Sequence, residues 1–164
     1  MIFGMTLFTF LHVLLSVIGI GSGFVISFGL LTARRLEGWT ALFLATTVLT
    51  SVTGFLFPFH RFLPSHGVGI ISLIVLAIAI FARYARRLVG AWRRTYVISA
   101  TTALYLNVFV LIAQLFQKVP ALKAMAPTQS EPPFEIAQLV VLALFIVLGV
   151  ISTMKFRDIA VRTA

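Results

Sequence analysis

The sequence predicts an all-α integral membrane bundle of five transmembrane helices, with the N-terminus outside and the C-terminus in the cytoplasm. Of its 164 residues, 60% are hydrophobic and only 10% are charged, and the mean hydropathy is +1.10. A soluble domain carries about 25% charged residues, so a chain of this composition is suited to lipid as its solvent. Five apolar runs supply the spans, and basic residues flank them as topology signals do.

The predicted spans make up a single transmembrane domain over residues 1–164. They cover approximately residues 6–32, 39–57, 66–82, 95–117 and 134–154. The first run has no Lys or Arg before Arg34, which predicts a retained span rather than a cleaved signal peptide. It exceeds the roughly 20 residues that a bilayer requires, so we expect this helix to tilt or project.

One face of the first helix carries small or polar residues at steps of three or four. These residues are His12, Ser16, Gly19, Gly23 and Ser27. Small residues on one face allow a neighbouring helix or a flat ligand to approach closely. Close helix packing is the interpretation that we favour for the Gly and Ser positions.

The later helices carry polar groups of different kinds. The second is rich in Thr and Ser, which suit helix contacts in lipid, and Pro58 is predicted to end it. The fourth carries Asn107, Gln114 and Gln117 on one face. Such amides usually bond to another helix, and they also orient carbonyl-bearing ligands such as quinones. Residues 118–133 contain four of the six prolines, which predicts an ordered cap.

The basic residues set the predicted orientation. Ten of the thirteen lie in the connections after the first and third spans and in the tail. They are Arg34, Arg35, Arg83, Arg86, Arg87, Arg93, Arg94, Lys155, Arg157 and Arg162. The positive-inside rule puts these segments in the cytoplasm, beside anionic lipid head groups, and this placement argues against nucleic acid as a partner. The rings predicted at the inner interface are those of Trp39, Tyr84, Trp92 and Tyr96.

This orientation gathers the chemically capable side chains in the outer half of the bundle and leaves the inner half nearly featureless. His12 lies inside the first span, and His60 and His66 flank the short turn between the second and third. The predicted cofactor-binding residues are His12, His60, His66, Arg61, Asn107 and Gln114. Ionisable residues within a membrane are functional candidates by default, and His12 is the one clear intramembrane histidine.

The leading hypothesis is a b-type haem site that serves electron transfer near the outer face. Haem iron takes axial imidazoles, and His12 paired with His66 or His60 would supply them from separate helices. In this hypothesis Arg61 meets a propionate, and the glycines of the first helix make room for the edge of the macrocycle.

Three alternatives stay open. One is a zinc or copper site formed by the histidines, with Glu131 as a further ligand. Its imidazole ligands would be His12, His60 and His66. Another is a quinone or lipid head-group pocket, with His12, Asn107 and Gln114 as hydrogen-bonding groups. The last is a non-catalytic membrane subunit or assembly partner of another membrane protein or of a second copy, in which His12 bonds to a neighbouring helix.

Missing residue types and motifs exclude several classes of function. The chain contains no cysteine, which excludes disulfides, thiolate metal sites and iron–sulfur clusters. It contains no phosphate loop, nucleophile elbow or zinc-protease motif, so no enzyme class is indicated.

The segment from Tyr105 to Phe134 contains YLNVFV, KVPAL and APTQSEPPF in succession. It resembles a pattern in short uncharacterised bacterial inner-membrane proteins and covers about a fifth of the chain. The resemblance implies a multi-pass protein of the bacterial inner (plasma) membrane, and it brings no activity and no functional residue.

Overall fold

The computed structural model describes residues 6–57 and 64–156, and the side chains of residues 64 and 65 are not described. These ranges hold six α-helices and no β-strand. The helices are α1 (Leu7–Leu31), α2 (Glu37–Gly54), α3 (Pro64–Ile80), α4 (Ala91–Lys118), α5 (Pro120–Met125) and α6 (Pro132–Lys155). A π-helical turn, Phe81–Ala85, continues α3.

Four of the helices are long and apolar enough to cross a membrane, which suggests a multi-pass membrane protein. They are α1, α3 with its π-helical turn, α4 and α6. The sequence predicts five membrane spans, whereas four helices meet the length and hydropathy required of a span. The difference is α2, which is not among the candidates and whose 18 residues include Glu37 and many hydroxyl side chains.

Helix α4 lies at the centre of the bundle and contacts α1, α3 and α6, while α2 packs against α1 and α3. The core includes Phe43 of α2, Leu76 of α3 and Leu104 of α4, all almost completely buried. Much of the outward surface of α1, α3 and α6 is formed by exposed large apolar side chains. An apolar exterior of this extent is the surface expected of helices in lipid.

The small-residue face of α1 serves helix packing, as the favoured interpretation holds. A Cβ atom added to Gly19 would lie 3.1 Å from Thr47 Oγ1 and 3.3 Å from Asn107 Nδ2. A Cβ atom added to Gly23 would overlap Leu104. Packing and small residues, rather than the hydrophobic effect, hold helices together in lipid, so these positions set the spacing of α1, α2 and α4.

Local hydrogen bonds define the helix ends. Helix α1 ends in a Schellman motif: Ala33 has φ 54°, and the N–H of Arg34 donates to Gly29 O at 2.8 Å. Helix α2 ends at Gly54, before Pro58, which lies outside the described residues. Helix α4 begins at Ala91, four residues before the predicted start, so the basic segment 91–94 is part of the helix.

The proline-rich connection contains the short helix α5 and a hydrogen-bonded turn before α6. Gln129 Nε2 donates to Ala113 O at 2.7 Å, which ties the connection to α4. Glu131 accepts from the N–H groups of Thr128 and Ser130 and from the Thr128 hydroxyl. Slight desolvation raises the pKa of Glu131, but these hydrogen bonds outweigh it, so the pKa lies below its ordinary value.

Candidate functional site at the histidine end of the bundle

The antiparallel helices give the bundle two chemically different ends. The histidine end contains the start of α1, the end of α2 and the end of α4, with His12, Thr53 and Gln114. The basic end contains the opposite termini of these helices and the end of α6, with Glu37 and Arg83.

His12 is joined to α2 by a hydrogen bond that determines its tautomer. His12 Nδ1 lies 2.8 Å from Thr53 Oγ1. The Thr53 hydroxyl has a single proton, and it donates this proton to Leu49 O at 2.7 Å. With that proton on Leu49 O, Thr53 Oγ1 is left as an acceptor, and the matching tautomer of His12 has its proton on Nδ1. In the neutral ring, the other nitrogen, Nε2, then carries a lone pair that can accept a hydrogen bond or bind a metal ion.

The surroundings fix the orientation of the His12 ring. The Phe57 ring packs edge-on against it, with the centroids 5.0 Å apart and the planes at 85°. A Cβ atom added to Gly54 would lie 3.7 Å from His12 Cε1, so this glycine leaves the ring room against α2. His12 is half-buried, and the Nδ1 edge of its ring faces α2.

A column of polar groups runs from His12 towards the middle of the bundle, between α1, α2 and α4. We call it the polar seam and define it as Thr46, Thr47, Thr50, Thr53, His12 and Asn107. Asn107 Nδ2 donates to Thr47 Oγ1 at 3.4 Å, next to Gly19. Thr50 Oγ1 is buried and has no hydrogen-bond partner in the described part of the chain. Buried polar atoms are almost always paired, so this hydroxyl marks a place where a polar partner is favoured.

His12 and Gln114 lie at a similar depth in the bundle. His12 and Gly19 lie seven residues apart on one face of α1, and Asn107 and Gln114 lie seven residues apart on one face of α4. Seven residues span about 10 Å of helix. Gly19 and Asn107 are buried and adjacent, whereas His12 is half-buried and Gln114 is exposed. His12 and Gln114 therefore lie about the same distance beyond the buried contact of Gly19 with Asn107, at the end of the polar seam.

The other predicted site residues lie elsewhere. His66 is buried against the Phe55 ring, with the ring centroids 5.8 Å apart. Thr53 and Phe55 point to opposite faces of α2, so His12 and His66 contact α2 from opposite sides. His60 and Arg61, which complete the predicted set, lie outside the described residues.

Two details of the cofactor hypotheses disagree with the packing. Gly19 and Gly23 are filled by side chains of α2 and α4, so they leave no room for the edge of a macrocycle. The Glu131 carboxylate, predicted as a metal ligand, instead accepts hydrogen bonds from the N–H groups of Thr128 and Ser130 in its own turn. Within residues 6–57 and 64–156, no group of three or more His, Asp or Glu residues is placed to hold a metal ion.

The prediction of a featureless inner half was wrong, because the basic end contains a buried charge. Arg83 is buried, and its Nη2 donates to Glu37 Oε2 at 2.5 Å. Its guanidinium lies 5.3 Å from the centroid of the Tyr96 ring. Tyr96, predicted at the interface, is itself buried in the core. The π-helical turn, a feature that is frequent at functional sites, carries Arg83 into the bundle.

Sequence reasoning missed Arg83 and the contacts of His12 for different reasons. The basic run from 83 to 94 was interpreted as a lipid anchor, and only the presence of Glu37 in the facing connection signalled a partner. The hydroxyl-rich character of α2 was recognised, but the pairing of Thr53 with His12 depends on the rotation of two helices about their axes.

Comparisons with protein-family models, with curated proteins and with solved structures give no match to this chain.

Proposed function

We propose that α1 and α4 leave an opening between His12 and Gln114, and that this opening binds the head group of a quinone in its quinol form. The observation that carries the proposal is the hydrogen bond between His12 Nδ1 and Thr53, which occupies one ring nitrogen and leaves Nε2 as the acceptor of the neutral ring. A quinol hydroxyl is a donor that matches this acceptor. The bilayer is the natural reservoir for its apolar tail.

The two sides of the opening offer complementary hydrogen bonds. His12 Nε2 accepts from one quinol hydroxyl. The Gln114 amide both donates and accepts, so it suits the opposite oxygen in either the quinone or the quinol form. The seam below offers a further buried hydroxyl, that of Thr50. Apolar surroundings with a few convergent polar groups are typical of small-molecule sites.

Loss of the His12 imidazole is expected to weaken binding of a short-chain quinol analogue roughly tenfold or more, since it removes a hydrogen bond in a poorly solvated site. Isothermal titration of the detergent-purified protein measures this for wild type, His12→Ala and Gln114→Leu. Thr53→Val is expected to give a smaller loss, because it frees the imidazole to change tautomer.

His66→Gln is the matched control, as it replaces the histidine on the opposite face of α2. Wild-type affinity in His12→Ala, or an equal loss in His66→Gln, would refute quinone binding at the opening.

A b-type haem is the second candidate, because an imidazole that donates through Nδ1 presents Nε2 as an iron ligand. A bound haem would supply one-electron transfer. His12 would hold the iron through Nε2, whereas His66 lies on the other side of α2. In this proposal the second ligand is His60, with Arg61 as the partner of a propionate.

The absorption spectrum of protein expressed with added haem tests this candidate. A Soret band that is lost in His12→Ala and kept in His66→Gln is the expected result. A colourless preparation contradicts it, and metal analysis of the same sample tests the zinc or copper alternative. If quinone, haem and metal are all absent, a non-catalytic subunit is the function that remains, and co-purification of a membrane partner tests that function.

We further propose that the chain crosses the bacterial inner membrane five times, with its N-terminus outside. Helix α2 is 18 residues long, about 27 Å, which approaches the thickness of the hydrocarbon core. A cytoplasmic basic end agrees with the positive-inside rule. A C-terminal alkaline phosphatase fusion is expected to be inactive and a C-terminal green fluorescent protein fusion to fluoresce. The reverse pair of results would contradict this orientation.

A further inference from the structure

We infer that Phe57 is a positioning residue for His12: its ring holds the imidazole in the orientation that pairs Nδ1 with Thr53 and leaves Nε2 for the ligand. This role rests on the quinol site proposed above, and it adds to that site a side chain that acts through His12.

Phe57 packs against two rings of α1 at once. Its ring centroid lies 4.9 Å from that of Phe8, with the planes at 58°, and 5.0 Å from that of His12, with the planes at 85°. Phe8 and His12 are four residues apart and lie on one face of α1. Tilted and edge-on arrangements at these distances are favourable for aromatic rings. Phe57 therefore joins the chain beyond α2 to the first turns of α1.

The hydrogen bond to Thr53 does not by itself fix the His12 ring. It restrains Nδ1, 2.8 Å from Thr53 Oγ1, but the second side-chain torsion of a histidine has a broad range. Gly54 has no side chain to limit this rotation, although a Cβ atom there would lie 3.7 Å from His12 Cε1. The Phe57 ring, packed edge-on to the imidazole, supplies the restraint.

Loss of the Phe57 ring is expected to change which nitrogen of His12 carries the proton. A rotated imidazole no longer holds Nδ1 against Thr53, so the neutral ring is free to carry its proton on Nε2. In that tautomer Nε2 is a donor and has no lone pair for a quinol hydroxyl. Phe57 therefore controls the acceptor on which quinol binding depends.

Phe55 provides a matched comparison in the same stretch of chain. Its ring packs against that of His66, with the centroids 5.8 Å apart and the planes at 43°. A Cβ atom added to Gly69 would lie 3.0 Å from Phe55 Cζ, so this ring faces α3. Phe55→Leu thus removes the same aromatic ring two residues away and leaves the contacts of His12 in place.

The first measurement needs no quinol. Nitrogen-15 NMR of the imidazole-labelled full chain, with His12→Gln to assign the signals, reports the tautomer of His12. We expect one neutral form, protonated at Nδ1, in wild type and Phe55→Leu. We expect a mixture of both tautomers in Phe57→Leu and a return to one form in Phe57→Tyr. A wild-type His12 signal in Phe57→Leu, or an equal mixture in Phe55→Leu, would overturn the role of Phe57.

The second measurement is isothermal titration of the same variants with duroquinol. Phe57→Leu is expected to bind it roughly fivefold more weakly than wild type, and Phe57→Tyr and Phe55→Leu to bind it as wild type does. Wild-type affinity in Phe57→Leu, or equal weakening in Phe55→Leu, would also overturn this role.

A wild-type chain that does not bind duroquinol would refute the quinol site alone, because the NMR comparison still decides whether Phe57 orients His12. A cooperative thermal transition establishes that each variant is folded. If Phe57→Leu shows none, Phe57→Met, with Phe55→Met as its control, takes its place in both measurements.

Discussion

Glu37→Gln is expected to lower the free energy of unfolding by about 2 kcal/mol, because it leaves a charged, buried guanidinium without its carboxylate. The Arg83 side chain is 5% exposed, whereas that of Glu37 is 68% exposed. A pair of exposed ions contributes less than about 1 kcal/mol, and breaking a fully buried pair costs about 3–5 kcal/mol. The burial of Arg83 decides the outcome, since this side chain cannot turn to water as Glu37 can.

The surroundings of Arg83 leave little compensation for a lost carboxylate. Its Nε has no hydrogen-bond partner among the described residues, and its other contacts are with the rings of Tyr84 and Tyr96. An adjoining cavity of about 10 Å³ has room for roughly one water molecule. A single water replaces only part of the interaction with a carboxylate.

A double-mutant cycle in detergent measures the interaction free energy between Arg83 and Glu37. Arg83→Met combined with Glu37→Gln removes both charges and is expected to recover much of the stability lost in Glu37→Gln alone. Glu135→Gln, in the first turn of α6, is the matched control and is expected to cost less than about 0.5 kcal/mol. A Glu37→Gln variant no less stable than Glu135→Gln would show that the pair does not hold this end together.

Gly23→Val is expected to destabilise the bundle by about 1–3 kcal/mol or to prevent its assembly. A Cβ atom at this position would overlap Leu104 and lie 3.0 Å from Phe43 Cε2. Both neighbours are almost completely buried, so neither side chain has space to move aside. To remove this overlap, α1 must move away from α2 and α4. That movement also breaks the contacts around Gly19 and Asn107.

Gly21→Val is the matched control on the same helix, because nothing lies within 4 Å of a Cβ atom there. Replacing this glycine lowers the entropy of the unfolded chain, so we expect a neutral or slightly stabilising effect. Thermal unfolding and gel-filtration profiles in detergent compare the two variants. Equal stability of the two would contradict the assignment of Gly23 to the packed face.

Much of the helical architecture follows from the sequence because it depends on local patterns. Apolar runs predict the helices, and the spacing of Gly19 and Gly23 predicts a packed face. The early start of α4 at Ala91 was missed, because a basic segment at the head group level was interpreted as a connection rather than as the first turn of a helix.

The site was harder to predict because it depends on helix rotation and tilt. Periodicity places His12 and Gly19 on one face and Asn107 and Gln114 on another, but not the pairing of the two faces. The same uncertainty made His66 look like a partner of His12, although α2 lies between them. The inward position of Arg83 depends on a π-helical turn that shifts the helical register by one residue.

The tautomer of His12 tests the central claim most directly. Nitrogen-15 NMR of imidazole-labelled protein, with His12→Gln to assign the signal, reports which ring nitrogen carries the proton. We predict a neutral ring protonated at Nδ1, with an Nε2 signal that shifts when a quinol analogue is added. A proton on Nε2, or an Nε2 signal that the analogue leaves unchanged, would contradict the quinone site at the opening.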